Sequence, residues 1–296
     1  MTTEPRTIFS LLLAASPIAV LANVNDGAID DDTVVLSPSS EWRLREMDDR
    51  CRLSRRFGEG ENRTTLWLDQ GGAEPFYNVT LIGRPFRHLY GQFTRVRFGP
   101  DEARSTRGYI SAKSSTGRPV MVMYGIQVAP QERNPEDAMQ PIAEIGRERE
   151  EAITQLHIAN AVVDPVLLEI GAMAEPLERL RTCAKLLGAR LTIASMATND
   201  KARGAVPVDQ DTWSKYIKYP DYLLRSRVVG EVRIRLTVAP SGKAVNCQVT
   251  GSSSPQVFDD EVCFALIKHA RFEPALDLEG QPTTSYYTQE VIFSIK

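Results

Sequence analysis

Histidine is scarce in this chain. Only His88, His157 and His269 occur among 296 residues, and no two lie close in sequence, so a histidine-based metal site would have to be assembled by the fold. The four cysteines form no CxxC pair, which removes the spacing of a zinc ribbon and of thioredoxin-like redox chemistry. No GxSxG, HExxH or Cys–His signature supports an enzyme, and nothing asks for a cofactor. A basic excess is also lacking: 35 Lys plus Arg face 38 Asp plus Glu, a net charge of −3. Without surplus cations to neutralise a phosphate backbone, nucleic acid is not an expected partner. What is present, 42% hydrophobic and 25% charged residues, excludes disorder and a membrane bundle and leaves room for two folded domains.

The one long apolar run is at the start. Ile8 to Ala22 is broken only by Ser10, Ser16 and Pro17 and follows a short polar stretch holding Arg6. As a helix its fifteen residues cover roughly 22 Å, short of the roughly 30 Å hydrocarbon core of a bilayer. Val20-Leu21-Ala22 suits signal peptidase, so residues 1–22 read as a signal peptide. A short uncleaved anchor is the alternative, which Glu4 keeps open.

Behind it, residues 23–41 read as an acidic, mobile leader with Asp26, Asp30, Asp31 and Asp32. Residues 42–194 read as an α+β domain. Even spacings at Trp42 and Leu44, then Cys51, Leu53 and Phe57, indicate strands. Gly58-Glu-Gly60 is a hairpin turn, and more strands follow at Thr64–Leu68, Tyr77–Ile82, Phe93–Phe98 and Pro119–Val128. Asn134-Pro135 signals a helix start and Val166–Ile170 a buried strand. A helix from Pro176 carries Leu177, Leu180, Ala184 and Leu187 on one face, with Gly188 as its stop. Residues 195–211 are polar, with neither period, and read as a linker.

Residues 212–296 read as a second, smaller domain: a hairpin, a helix and a strand. Val232, Ile234, Leu236 and Val238 alternate with polar residues, and Val245, Cys247 and Val249 return on one apolar face, leaving the other face solvated. Ser254-Pro255 caps a helix whose buried stripe is Phe258, Val262, Leu266 and Ala270. Asp259 and Asp260 in its first turn, and His269 near its end, fit the helix dipole better than catalysis. A last strand, about Tyr286 to Ile295, puts Val291, Phe293 and Ile295 on one face. Arg225, Arg227, Arg233 and Arg235 read as a local, solvated basic strip.

Export places the cysteines in an oxidising compartment. Four cysteines allow three pairings. The organisation favours Cys51–Cys183 and Cys247–Cys263, because each pair joins a strand's buried side to a helical stripe within one domain.

Tyr219-Pro220, Gly230-Glu-Val-Arg-Ile-Arg-Leu-Thr-Val, Pro240-Ser-Gly-Lys-Ala-Val, Ala270-Arg-Phe-Glu-Pro-Ala and Gly280-Gln-Pro282 follow one another in an order and spacing that resemble the TonB C-terminal domain family, over about residues 213–296. The resemblance implies a periplasmic domain that binds an extended peptide of an outer-membrane receptor, or of another envelope protein, by strand addition. The main chain of the last strand, with Tyr286, Tyr287, Val291 and Phe293, and the nearby Tyr219 and Pro220 are the expected contacts. Homodimerisation stays open. The chain departs from a full transducer: its apolar segment has no His, its prolines are scattered, and a folded domain stands where a spacer is expected. The expectation is a periplasmic, disulfide-bearing interaction protein. A membrane-anchored energy transducer and an enzyme seated in the first domain are its rivals.

Overall fold

A computed structural model describes residues 32–130, 144–196, 201–252 and 255–295, with backbone only for 191–196. The apolar segment 8–22, the helix start at Asn134-Pro135 and the cap at Ser254 lie outside the described residues. Among those described, no helix is long and apolar enough to cross a membrane.

The first domain runs through β1 (Val34–Leu36), β2 (Arg43–Glu46), β3 (Cys51–Phe57), β4 (Thr64–Gln70), β5 (Tyr77–Ile82), β6 (Phe93–Phe98), β7 (Ser105–Gly108), β8 (Ile110–Lys113), β9 (Pro119–Ile126), α1 (Arg147–Ala152), β10 (Leu156–Ala159), β11 (Val166–Leu168) and α2 (Ala174–Met196). Two sheets result, of orders β1-β11-β10-β6-β7 and β2-β3-β4-β5-β9-β8. Period-2 alternation turns Leu53, Leu66, Val79 and Met121 inward from the second sheet, against Val96, Ile158 and Leu168 of the first. Leu177, Leu180, Ala184 and Leu187 of α2 complete this core.

Two expectations about this domain are corrected. Val34–Leu36 does not belong to a mobile leader: it pairs in parallel with β11 and buries Leu36, because an apolar triplet gains more from the sheet than from water. Gly188 does not stop α2, which continues to Met196. Glycine in a helix interior costs only about 1 kcal/mol, and a Cβ here would make only ordinary contact with Gly72, 3.9 Å away. Strands β7, β8 and β10 were not anticipated, being four-residue segments too short to show a period.

The second domain holds β12 (Val206–Val208), α3 (Asp221–Arg225), β13 (Gly230–Val238), β14 (Ala244–Ser252), α4 (Gln256–His269), β15 (Arg271–Glu273), β16 (Ala275–Leu276), β17 (Pro282–Thr283) and β18 (Ser285–Phe293). Antiparallel β14-β13-β18 forms its main sheet, and α4 lies across one face with Phe258, Val262 and Leu266 buried against Val232, Ile234 and Leu236. Part of the expected linker belongs here. Val206–Val208 pairs with β15, and Arg203 bridges to Leu276, so strand pairing satisfies the backbone that a linker would leave in water.

The expected alternation on β14 fails at one residue. Val238 pairs with Ala244 and Thr237 with Asn246, so Val245 is the extra residue of a bulge and is 37% exposed. The face expected to be solvated is largely covered, with Thr237, Asn246 and Gln248 all buried. What covers it is the first domain. Phe76 enters the second domain's core, Glu74 accepts hydrogen bonds from Arg235 and Gln248, Asn78 donates to Asn246, and the Tyr286 hydroxyl donates to the Gly71 carbonyl at 2.9 Å. Of the expected basic strip, Arg235 is therefore an interdomain contact.

Both disulfides join the cysteines expected, Cys51–Cys183 with Cα atoms 6.1 Å apart and Cys247–Cys263 with 5.6 Å. Their sequence separations are 132 and 16, so chain entropy predicts a larger loss from cutting the first. Paired alanine substitutions at Cys51 and Cys183 should cost about 4–5 kcal/mol, and those at Cys247 and Cys263 about 3 kcal/mol. Urea unfolding of the two double variants measures the order, and an unchanged midpoint in either would contradict it.

Candidate functional site

β18 is the outermost strand of the second domain's sheet. It pairs with β13 from Gly230↔Phe293 to Val238↔Ser285. Among the described residues no strand pairs with its other side. One row of main-chain N–H and C=O groups is left for a further strand. Packing of α2 against β18, together with the Tyr286–Gly71 bond, places the first domain at the beginning of the strand and leaves its later part open.

That later part borders a groove of about 510 Å³. Trp213, Ile217, Leu266 and Val291 give it apolar walls, and Gln210, in a 3-10 turn over Gln210–Lys215, donates to Gln289 Oε1 at 2.7 Å across its rim. Sequence reasoning missed Trp213 and Ile217 as groove residues. They stand beside a stretch read as linker, and only the return of α4 and β18 brings Leu266 and Val291 against them.

The six residues expected at the site divide into three groups. Tyr219 and Phe293 come together: their rings meet edge to face at 5.4 Å, Phe293 stacks on Phe258 at 3.9 Å, and the Tyr219 hydroxyl donates to the Val228 carbonyl. Tyr287 packs on Trp213 and Phe272 with centroids 6.1 and 5.0 Å away, and Val291 lies partly buried on the same core. Tyr286 faces the first domain, with the Arg235 guanidinium 4.7 Å above its ring, and Pro220 precedes α3 as its cap residue. Five of these side chains are thus engaged inside the protein, and what β18 offers outward is mainly backbone.

On the open part of the sheet's other face, Arg233 Nε donates to Glu231 Oε1 and to Glu290 Oε1, each at 3.1 Å. A side-chain hydrogen bond between the two carboxyls pushes Glu231 up and, with the help of Arg233, Glu290 down. Ile292 is 67% exposed beside them.

Asp259 and Asp260 do not cap α4. The cap position is Pro255, and no side chain caps α4. Asp260 accepts 2.7 Å hydrogen bonds from Arg107 Nη2 and from the Gly108 N–H, crossing to the first domain. Burial pushes Asp260 up to about 6, against the pull of Arg107, so it is ionised at neutral pH. Burial pushes Asp259 up to about 7, and its Oδ1 has no hydrogen-bond partner. His269 stacks flat on Tyr216 at 3.9 Å.

The described residues hold no group of three or more His, Cys, Asp or Glu placed to bind a metal. On the first domain, a recess of about 350 Å³ opens on the six-stranded sheet beside Trp67, Thr80 and Val122. Its Asp69 is engaged by Arg50 and Arg52, which leaves that carboxylate tied in an ion-pair network and poorly placed as a general base.

Residues 215–295 match the family model described as Gram-negative bacterial TonB protein C-terminal, as the motifs from Tyr219 onward led one to expect. No curated protein matches the chain.

The electrostatics at the domain boundary have a testable consequence. An Asp259 carboxyl raised in the folded state contributes fully below its ordinary range, and that contribution is lost as pH rises from about 4 towards 7. Asp260 acts with the same sign between about 4 and 6. Asp259→Asn removes the first group only. It should raise the thermal midpoint at about pH 8, by a stability on the order of 4 kcal/mol, with the difference closing near pH 4 and a shallower slope from Asp260 remaining. Equal midpoints at all pH values would refute this assignment.

Proposed function

We propose that the protein is a periplasmic interaction module that captures an extended peptide from an outer-membrane receptor, or from another envelope protein, by adding it as a strand to the free side of β18. The observation that carries this reading is the unpaired edge of β18 running beside an open, apolar-walled groove. Strand addition takes affinity from main-chain hydrogen bonds and specificity from pockets for alternate side chains, and this edge offers both. The match over residues 215–295 supports the same reading. Two intramolecular disulfides with no free cysteine among the described residues fit an oxidising compartment. Binding is non-catalytic and needs no cofactor. The same edge could pair with that of a second copy, so a homodimer would compete with the peptide.

In an antiparallel pair, successive residues turn their N–H and C=O groups to opposite edges. One of Glu290 and Val291 therefore faces the open side, and proline there is tolerated by the ladder to β13 but blocks a strand arriving from outside. Titration of a receptor-derived extended peptide against the full chain, its Glu290→Pro and Val291→Pro variants, and Val291→Thr tests the reading. The outward-facing proline should weaken binding at least about tenfold, equivalent to about 1.4 kcal/mol, while far-ultraviolet circular dichroism stays native. Val291→Thr should change affinity much less, because the backbone is kept. No binding at millimolar peptide, or full binding by both proline variants, would defeat the proposal.

A further inference from the structure

The open part of β18 has two faces, and they differ in chemistry. On the α4 side lies the groove with Trp213, Ile217 and Leu266. On the opposite side Glu290 and Glu231 share one guanidinium, that of Arg233, and Ile292 stands out into solvent. The groove rim carries a further carboxylate, Asp211. Three carboxylates and one arginine give this stretch a negative balance, with Arg233 already engaged twice.

A strand laid along this edge alternates its side chains between the two faces, and each residue meets the one directly across at about 5 Å between Cβ atoms. The residue opposite Val291 must enter the groove. Its two neighbours fall on the other face, one opposite Glu290 and one opposite Ile292. Resting on the strand-addition reading above, we infer that the peptide taken here carries three consecutive residues of the kind basic, apolar, apolar, aligned with Glu290, Val291 and Ile292. The basic side chain faces Glu290 directly across the pair and balances the excess of two carboxylates over the one guanidinium of Arg233. The central apolar side chain loses its water against Trp213, Ile217 and Leu266, and the third covers Ile292. An acidic residue in the first place would meet Glu290 across the pair, which is unfavourable.

Magnitudes rank the contributions. Burying one aliphatic side chain in the groove is worth about 1.5–3 kcal/mol, or more than tenfold in affinity. An exposed charge pair contributes about 0.2–1 kcal/mol, a few-fold, and weakens with salt. The central apolar residue therefore sets whether the peptide binds, and the basic one sets preference among peptides that do.

The test uses the full chain and fluorescein-labelled nine-residue peptides of Ser and Thr with Lys-Val-Val at the centre. Variants carry Glu for Lys, or Asp for the central Val, and each is titrated in both residue orders by fluorescence anisotropy at low salt. The parent peptide should bind more than tenfold tighter than the central Asp variant, and about five- to tenfold tighter than the Glu variant. In Glu290→Lys protein the Lys-over-Glu preference should reverse, while the penalty of the central Asp stays. Equal affinity for Lys and Glu peptides, or a preference unmoved by Glu290→Lys, overturns this inference and leaves strand addition standing, provided an outward proline still weakens binding at least about tenfold. Failure of every peptide, including the receptor-derived one, overturns both.

Discussion

A guanidinium that is 1% exposed and a carboxylate that is 2% exposed meet at 2.7 Å across the boundary between the two domains. Desolvating both is expensive, and further hydrogen bonds offset part of that cost: Arg107 Nη2 also donates to the carbonyls of Tyr124 and Gly125, and Asp260 also accepts from the Gly108 N–H, while Arg107 Nε and Nη1 have no hydrogen-bond partner. The approach is close enough that a Cβ at residue 108 would stand 2.7 Å from the Phe264 ring, and one at residue 72 would stand 1.8 Å from Arg235. Gly108 and Gly72 let the two surfaces meet. Removing one partner of the buried pair would strand the other charge, at a cost of about 3–5 kcal/mol. The attachment of the second domain's main sheet to the first domain depends on this contact and on Phe76, which crosses into the second core.

That attachment decides which part of the sheet is available. Tyr286, Arg235 and Gln248 are used against the first domain, so part of one face is closed. On β14, Asn246 and Gln248 are buried in the same contact. What remains open is the later part of β18, with its groove on one side and the Glu231–Arg233–Glu290 cluster on the other. The first domain thus covers the beginning of this edge strand and leaves its later residues exposed.

Each domain also carries one covalent tie between a strand and the helix that covers it. The second domain spans fewer than a hundred residues, a size at which hydrophobic burial alone leaves a small margin. Cys247–Cys263 lies within its core rather than at its surface. Cys51–Cys183 does the same for α2, the helix that packs on β18. Covalent ties of this kind hold the edge in place while leaving its backbone groups free.

The local elements were legible from the sequence because they obey a period. Alternation located β3, β5, β6 and β13, three- and four-residue spacing located α2 and α4, and the strand-to-helix relation of the cysteines paired them correctly. The motifs from Tyr219 to Pro282 announced the second domain's family resemblance. Tertiary structure alone decided the rest. Asn246, Gln248, Thr237 and Tyr286 have the composition of a solvated face, and no pattern within a strand distinguishes water from a second domain as the thing that satisfies their hydrogen bonds. Trp213 and Ile217 became groove residues only when α4 and β18, distant in sequence, returned beside them. Val34–Leu36 became a strand because β11, more than a hundred residues later, supplied its partner. Periodicity is a property of neighbours along the chain, whereas the choice of what each face meets is made between segments that share no local signal.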